Sequence, residues 1–123
     1  MSEKYPATHA RMVEYSLSAN IYVPTIVIFE LEYGVAKSSI PERNAQRLQR
    51  FLQDPIEVLD FSLEDAKAAG HIRARLEASK QPIGPYDTLI AGQALARGLT
   101  LVTTNHREFA RVDDLKWEDW AQE

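Results

Sequence analysis

Gln81-Pro82-Ile83-Gly84-Pro85-Tyr86-Asp87-Thr88-Leu89-Ile90, continued by Ala94-Leu95, Gly98 and the run Leu99-Thr100-Leu101-Val102-Thr103, is the stretch that decides the fold. Pro85 stands where a helix begins, because its fixed φ suits the first helical turn and its missing N–H is not needed there. Leu89, Ile90, Ala94 and Leu95 then recur at helical spacing, and Gly98 tolerates the left-handed conformation of a C-cap. Leu99 to Thr103 is short and apolar, which predicts a buried strand.

Working outward, the same alternation repeats. Ile56 to Leu59 reads as a strand, and Ser62 then caps a helix with Glu64 and Asp65 in its first turn and Arg73 and Arg75 near its end, as the helix dipole favours. Its buried stripe is Ala66, Ala69, Ile72 and Leu76. Further upstream, Ile21 to Val23 is a short strand ended by Pro24. Thr25 is the expected N-cap of a helix carrying Ile28, Leu31 and Val35, and Leu48, Phe51 and Leu52 mark a second one between Pro41 and Asp54-Pro55. The N-terminal segment predicts a helix from Pro6, with Tyr5, His9, Met12, Val13 and Leu17 on one face, up to Ala19-Asn20. Phe109, Val112, Leu115 and Trp117 close the chain with a helical turn and an edge strand. Strands separated by helices imply right-handed crossovers, hence an α/β fold with a parallel sheet flanked by helices on both faces.

The composition agrees. At 123 residues, 45% hydrophobic and 26% charged, the chain fits one domain spanning 1–123. The absence of Cys excludes disulfides, thiol catalysis and Cys-ligated metals. The most apolar run, Tyr22 to Phe29, contains Pro24 and falls far short of the ~20 residues that span a bilayer. The N-terminus has no basic segment followed by an apolar run, so a cytoplasmic, non-membrane protein is expected. A net charge of −4 argues against non-specific coating of nucleic acid. It leaves room for a local site where a cation faces phosphate.

In an open α/β sheet, ligands bind beyond the carboxyl ends of the strands. Glu30 in the early turns of the Thr25 helix, Asp87 in the turn after Gly84-Pro85, and Asn105 just past the Leu99–Thr103 strand answer that description, with Glu108 three residues on. Two carboxylates ~5 Å apart repel by about 3 kcal/mol at an effective dielectric near 20, so a cluster stays ionised only around a cation. Oxygen donors select Mg²⁺ or Mn²⁺, and His9, His71 and His106 lack zinc spacing. Such an ion on carboxylates supports hydrolysis of a phosphodiester. Taken singly, each residue also has an ordinary role: Asp87 as a dipole partner, Glu30 as one of two acids beside Glu32, Asn105 as a turn former.

Ile28-Phe29-Glu30-Leu31-Glu32-Tyr33-Gly34, Pro82-Ile83-Gly84-Pro85-Tyr86-Asp87-Thr88-Leu89-Ile90-Ala91-Gly92 and Leu101-Val102-Thr103-Thr104-Asn105-His106-Arg107-Glu108-Phe109 together resemble the successive motifs of the PIN-domain toxins of the VapC family, and Leu115-Lys116-Trp117-Glu118-Asp119-Trp120 is similar to that family's C-terminus. The resemblance implies a PIN-like three-layer fold and a Mg²⁺- or Mn²⁺-dependent endoribonuclease. It further implies the toxin half of a toxin–antitoxin pair, dimeric and silenced by a small VapB-like antitoxin that docks in an apolar groove of the N-terminal helices. By the same carry-over, Glu30 and Asp87 are metal-binding carboxylates, Asn105 takes the fourth acidic or amide position, and Glu108 is a supporting ligand.

The family's first strand carries an Asp-x-Asn motif and lies centrally in the sheet, whereas this chain starts Met1-Ser2-Glu3-Lys4. The expectation is an N-terminally truncated PIN domain, through a late-assigned start rather than a real loss, with the flanking strands left lacking a ladder partner. Arg73, Arg75, Lys80, Arg97 and Arg107 are weak candidates to rim an RNA groove, scattered helix-surface cations being the usual solvated face; Tyr86 is a packing residue or a stacking face for a base, and Trp117 and Trp120 are expected to pack the C-terminus or a dimer contact. The alternative is a catalytically silent PIN-like module that binds an antitoxin or RNA. A signalling receiver would need a phosphorylatable Asp directly at a strand end, and none is evident.

Overall fold

A computed structural model describes residues 12–15, 20–53 and 56–119. In chain order these form β1 (Met12–Tyr15), β2 (Asn20–Pro24), α1 (Thr25–Lys37), α2 (Pro41–Gln53), β3 (Ile56–Leu59), α3 (Leu63–Ala78), α4 (Pro85–Arg97), β4 (Thr100–Val102), α5 (His106–Phe109) and β5 (Trp117–Glu118). The strands make one sheet in the order β3-β2-β1-β4-β5. Two parallel pairs, β2 with β3 and β4 with β5, carry the expected α/β pattern.

The centre of the sheet departs from the sequence reading. Met12 to Tyr15 was expected on a helix; it is a strand, antiparallel to both neighbours, with Val13 opposite Tyr22 on one side and Leu101 on the other. The sheet is therefore mixed, and the gap expected between β2 and β4 is filled. The reason is backbone satisfaction: two strands facing an empty slot each present a row of unpaired N–H and C=O groups, and Met-Val-Glu-Tyr fits a two-residue period as well as a helical one. The remainder of that expected helix lies outside the described residues, as does Trp120.

Helix boundaries follow local chemistry. α3 begins with a full capping box, in which Asp65 N–H donates to Ser62 Oγ (3.2 Å) and Ser62 N–H donates to Asp65 Oδ2 (2.9 Å). α4 starts on Pro85 and ends at Gly98 with φ 66°, the left-handed cap. At α1 the cap is Pro24, not Thr25; Thr25 is already helical and no side chain caps the end.

The core gathers Val23, Val27, Leu31, Ile90, Ala91, Ala94, Leu101 and Phe109, drawn from β2, α1, α4, β4 and α5. α3 and α4 pack so closely that a Cβ placed on Gly92 would lie 2.6 Å from the backbone of Ala69. The Gly92→Ala variant is expected to lose about 1–3 kcal/mol, because two helix backbones must separate to admit one methyl group. Gly70→Ala on the exposed side of α3, where an added Cβ meets nothing within 4 Å, is the matched control and is expected to gain up to about 1 kcal/mol of helix propensity. Chemical denaturation of the two variants checks both signs.

The same helix pair encloses a buried charge. Asp65, 1% exposed, receives Arg97 Nη2 at 2.8 Å, Arg97 Nε at 3.2 Å and Gln93 Nε2 at 2.8 Å, while Gln93 and Arg97 also reach the Asp60 carbonyl at 3.0 and 2.7 Å. Burial works to raise the Asp65 pKa, but the hydrogen bonds from Arg97, Ser62 and Gln93 and the Arg97 charge outweigh it and hold the carboxyl below its ordinary range. Arg97, expected among the cations of an RNA rim, is instead committed to this internal pair.

Candidate active site

Three segments meet where α4 starts. Asp87 is the third residue of α4 and is buried; Gly84, the residue before the helix, is held from the other side by Thr88, whose Oγ1 donates to the Gly84 carbonyl at 2.9 Å. Just past β4, the fully buried Thr103 hydroxyl accepts the Asn105 N–H at 2.9 Å, which fixes the turn into α5. From there Asn105 Nδ2 donates to Asp87 Oδ2 at 2.8 Å and reaches Glu108 Oε1 at 3.5 Å. Gly84 N–H donates to the same Glu108 oxygen at 3.1 Å.

Asp87 and Glu108 thus face one point: a Cβ on Gly84 would stand 3.9 Å from Asp87 Oδ2 and 3.8 Å from Glu108 Oε1. Burial works to raise the Glu108 pKa. The hydrogen bonds to Asp87, to the Gly84 N–H and to Asn105, then the attraction of Arg111, prevail and bring it below the usual carboxylate range. Two carboxyls in hydrogen-bond contact need a proton or a cation between them. The Asp87 and Glu108 donors are carboxylate oxygens, which suit a hard divalent ion such as Mg²⁺ or Mn²⁺.

Of the residues expected here, the structure brings Asp87, Asn105 and Glu108 together. Glu30 sits half-buried on α1, next to Phe29, whose ring meets that of Tyr86 edge-on with centroids 5.4 Å apart; Tyr86 in turn adjoins Asp87. Among the described residues no three His, Asp or Glu side chains gather closely enough to hold an ion, so Glu30 does not complete a three-carboxylate group with the pair. Arg73 pairs with Glu77 at 2.9 Å beside an open cleft lined by Pro82, Ile83, Pro85 and Leu89. Arg75 approaches Asp113 at 3.9 Å, and Arg107 and Tyr86 are exposed. Sequence reading missed Gly84, Thr103 and Arg111, the groups that hold the cluster from behind. The Thr-Thr-Asn string after an apolar strand was the available signal for Thr103.

No helix among the described residues is long and apolar enough to cross a membrane. The PIN domain profile matches residues 2–115. The tRNA(fMet)-specific endonuclease VapC of Shigella flexneri is 44% identical over 99 residues, covering 80% of this chain and 74% of that protein. Ribonuclease VapC2 of Rickettsia felis is 39% identical over 118 residues, covering 95% and 87%. Among solved structures, DNA-bound VapBC from Salmonella typhimurium superposes with a TM-score of 0.76 at 44% identity, covering 80% of this chain and 74% of that one. VapBC2 from Rickettsia felis bound to a DNA fragment from its promoter gives the same TM-score at 41% identity, with coverage of 80% and 74%. Matched over nearly all of its length by the family profile and at such identities by its relatives, the chain belongs to the PIN-domain family, within its VapC branch of ribonucleases.

Proposed function

We propose that this chain is a Mg²⁺- or Mn²⁺-dependent endoribonuclease acting as the toxin half of a VapBC-type pair, with RNA as substrate, a VapB-like antitoxin and a second copy of itself as partners, and the cytoplasm as its compartment. The observation that carries the reading is the pair of facing carboxyls, Asp87 and Glu108, locked by one amide at the mouth of α4. A divalent ion bound there supplies the charge that orients a phosphodiester and makes water acidic enough to attack phosphorus at neutral pH.

The chain's own residues do the rest. Asp87 and Glu108 would hold the ion, while Glu30, the further ligand that the family resemblance implies, stands apart from the pair on α1. Asn105 keeps Asp87 oriented, and Gly84 N–H keeps Glu108 oriented. Tyr86 offers a face to an unpaired base, and Arg107, Arg73 and Arg75 are cations that can serve the phosphate backbone. The relatives' solved structures are VapBC complexes, which supports the antitoxin.

Cleavage of RNA by the purified chain is expected with Mg²⁺ or Mn²⁺, to disappear on chelation, and to return on adding Mn²⁺. Activity that survives thorough chelation would refute the assignment. The catalytically silent module remains a second reading because no third carboxylate completes the pair among the described residues. Calorimetry with Mn²⁺ separates the two, since the silent module gives no heat of binding.

A further inference from the structure

Arg111 follows α5 and had no role in the sequence reading, yet it touches both walls of the cluster. Its backbone N–H donates to the Glu108 carbonyl at 3.0 Å. Its side chain crosses to the loop before α4, where Nη1 donates to the Pro82 carbonyl at 2.8 Å. Two residues on, Gly84 N–H returns the connection by donating to Glu108 Oε1. These three bonds close a ring that runs from Arg111 through Pro82 and Gly84 to Glu108 and back.

Such a ring matters because it ties the turn of residues 82–84 to the α5 segment at two points, Gly84 to Glu108 and Pro82 to Arg111. A peptide N–H holds a carboxylate in one orientation only while the peptide itself is held. Gly84 is bound from one side by Thr88, and Arg111 supplies the tether on the other. A guanidinium suits the task, since its planar fork stays charged and needs little ordering to make each bond.

We infer that Arg111 is a positioning residue of this site: by clamping the Pro82 carbonyl it holds the 82–84 turn against α5, so that Gly84 N–H keeps Glu108 aimed at Asp87 and Asn105. The inference rests on the nuclease reading for its consequence in activity, but its structural half stands separately.

The test compares Arg111→Ala with Arg111→Lys, which keeps a donor and a charge of similar reach. In Arg111→Ala the Gly84 amide resonance is expected to shift and lose its protection from hydrogen exchange. Mn²⁺ affinity by calorimetry should weaken about tenfold and kcat fall about tenfold, while KM for RNA moves less than about twofold. Arg111→Lys should restore most of each. An unchanged Gly84 amide with unchanged Mn²⁺ affinity would overturn the inference, as would a loss confined to KM, which would make Arg111 a substrate contact. A fall in melting temperature that accounts for the lost activity and is not rescued by Lys would also overturn it. Failure of the nuclease reading itself would show differently, as no metal-dependent cleavage by the parent chain, and would leave the Gly84 amide result standing.

Discussion

In Asp87→Asn, RNA cleavage is expected to fall by about 10²- to 10³-fold while the fold persists, the size of effect seen when one preorganised charge-stabilising group is removed. The amide is nearly the same shape as the carboxyl, and one oxygen remains to accept from Asn105 Nδ2, so the 2.8 Å contact has no steric reason to break. What is lost is charge. Removing one of two facing carboxyls also removes the need for a proton or a cation between them. Without divalent ions the variant should therefore melt at or above the temperature of the parent, and its melting temperature should no longer rise when Mn²⁺ is added. Cleavage assays paired with melting curves, with and without Mn²⁺, read both effects; parent-like cleavage by the variant would remove Asp87 from the site.

The second large effect lies at the α3–α4 interface. Asp65→Ala is expected to cost about 3–5 kcal/mol, because it strands the Arg97 guanidinium and the Gln93 amide and removes half of the α3 capping box. Against a total of about 5–15 kcal/mol for a domain of this kind, that is a large share of the whole. The pH dependence gives a second handle. The folded Asp65 carboxyl titrates below its ordinary value, so its contribution is fully present above the unfolded pKa of about 3.9 and is lost as pH falls through the lower folded value. The parent should lose stability on acidification through this window, and Asp65→Asn should lose less over the same range. Urea unfolding at neutral pH and near pH 3 separates the two chains; equal acid slopes would show that Asp65 does not carry the difference.

Much of this architecture is legible because local signals agree with one another. Ser62, Pro85 and Gly98 each mark a helix end by a mechanism that needs no tertiary context, and each stands at that end in the structure. Asp87, Asn105 and Glu108 could be grouped in advance because the carboxyl ends of strands are where polar residues converge. Elsewhere the deciding interaction lies far along the chain. Met12–Tyr15 pairs with both β2 and β4, and a single segment's periodicity cannot report that two other strands need a partner. Asp65 looked like an ordinary first-turn acid, and only the packing of α4 reveals Arg97 and Gln93 beside it. Gly92 gives no local hint that Ala69 lies against it. Arg111 acts through a loop distant in sequence, so nothing in its neighbourhood points to Pro82.

The candidate active site is assembled late by construction. Asn105 meets Asp87 across 18 positions of sequence, and Gly84 meets Glu108 across 24. A growing chain that has emerged only through α4 holds Asp87 without Asn105 or Glu108. The facing pair comes into being only once the segment bearing Glu108 has been made and has docked, so an unfinished copy of this chain carries no assembled site.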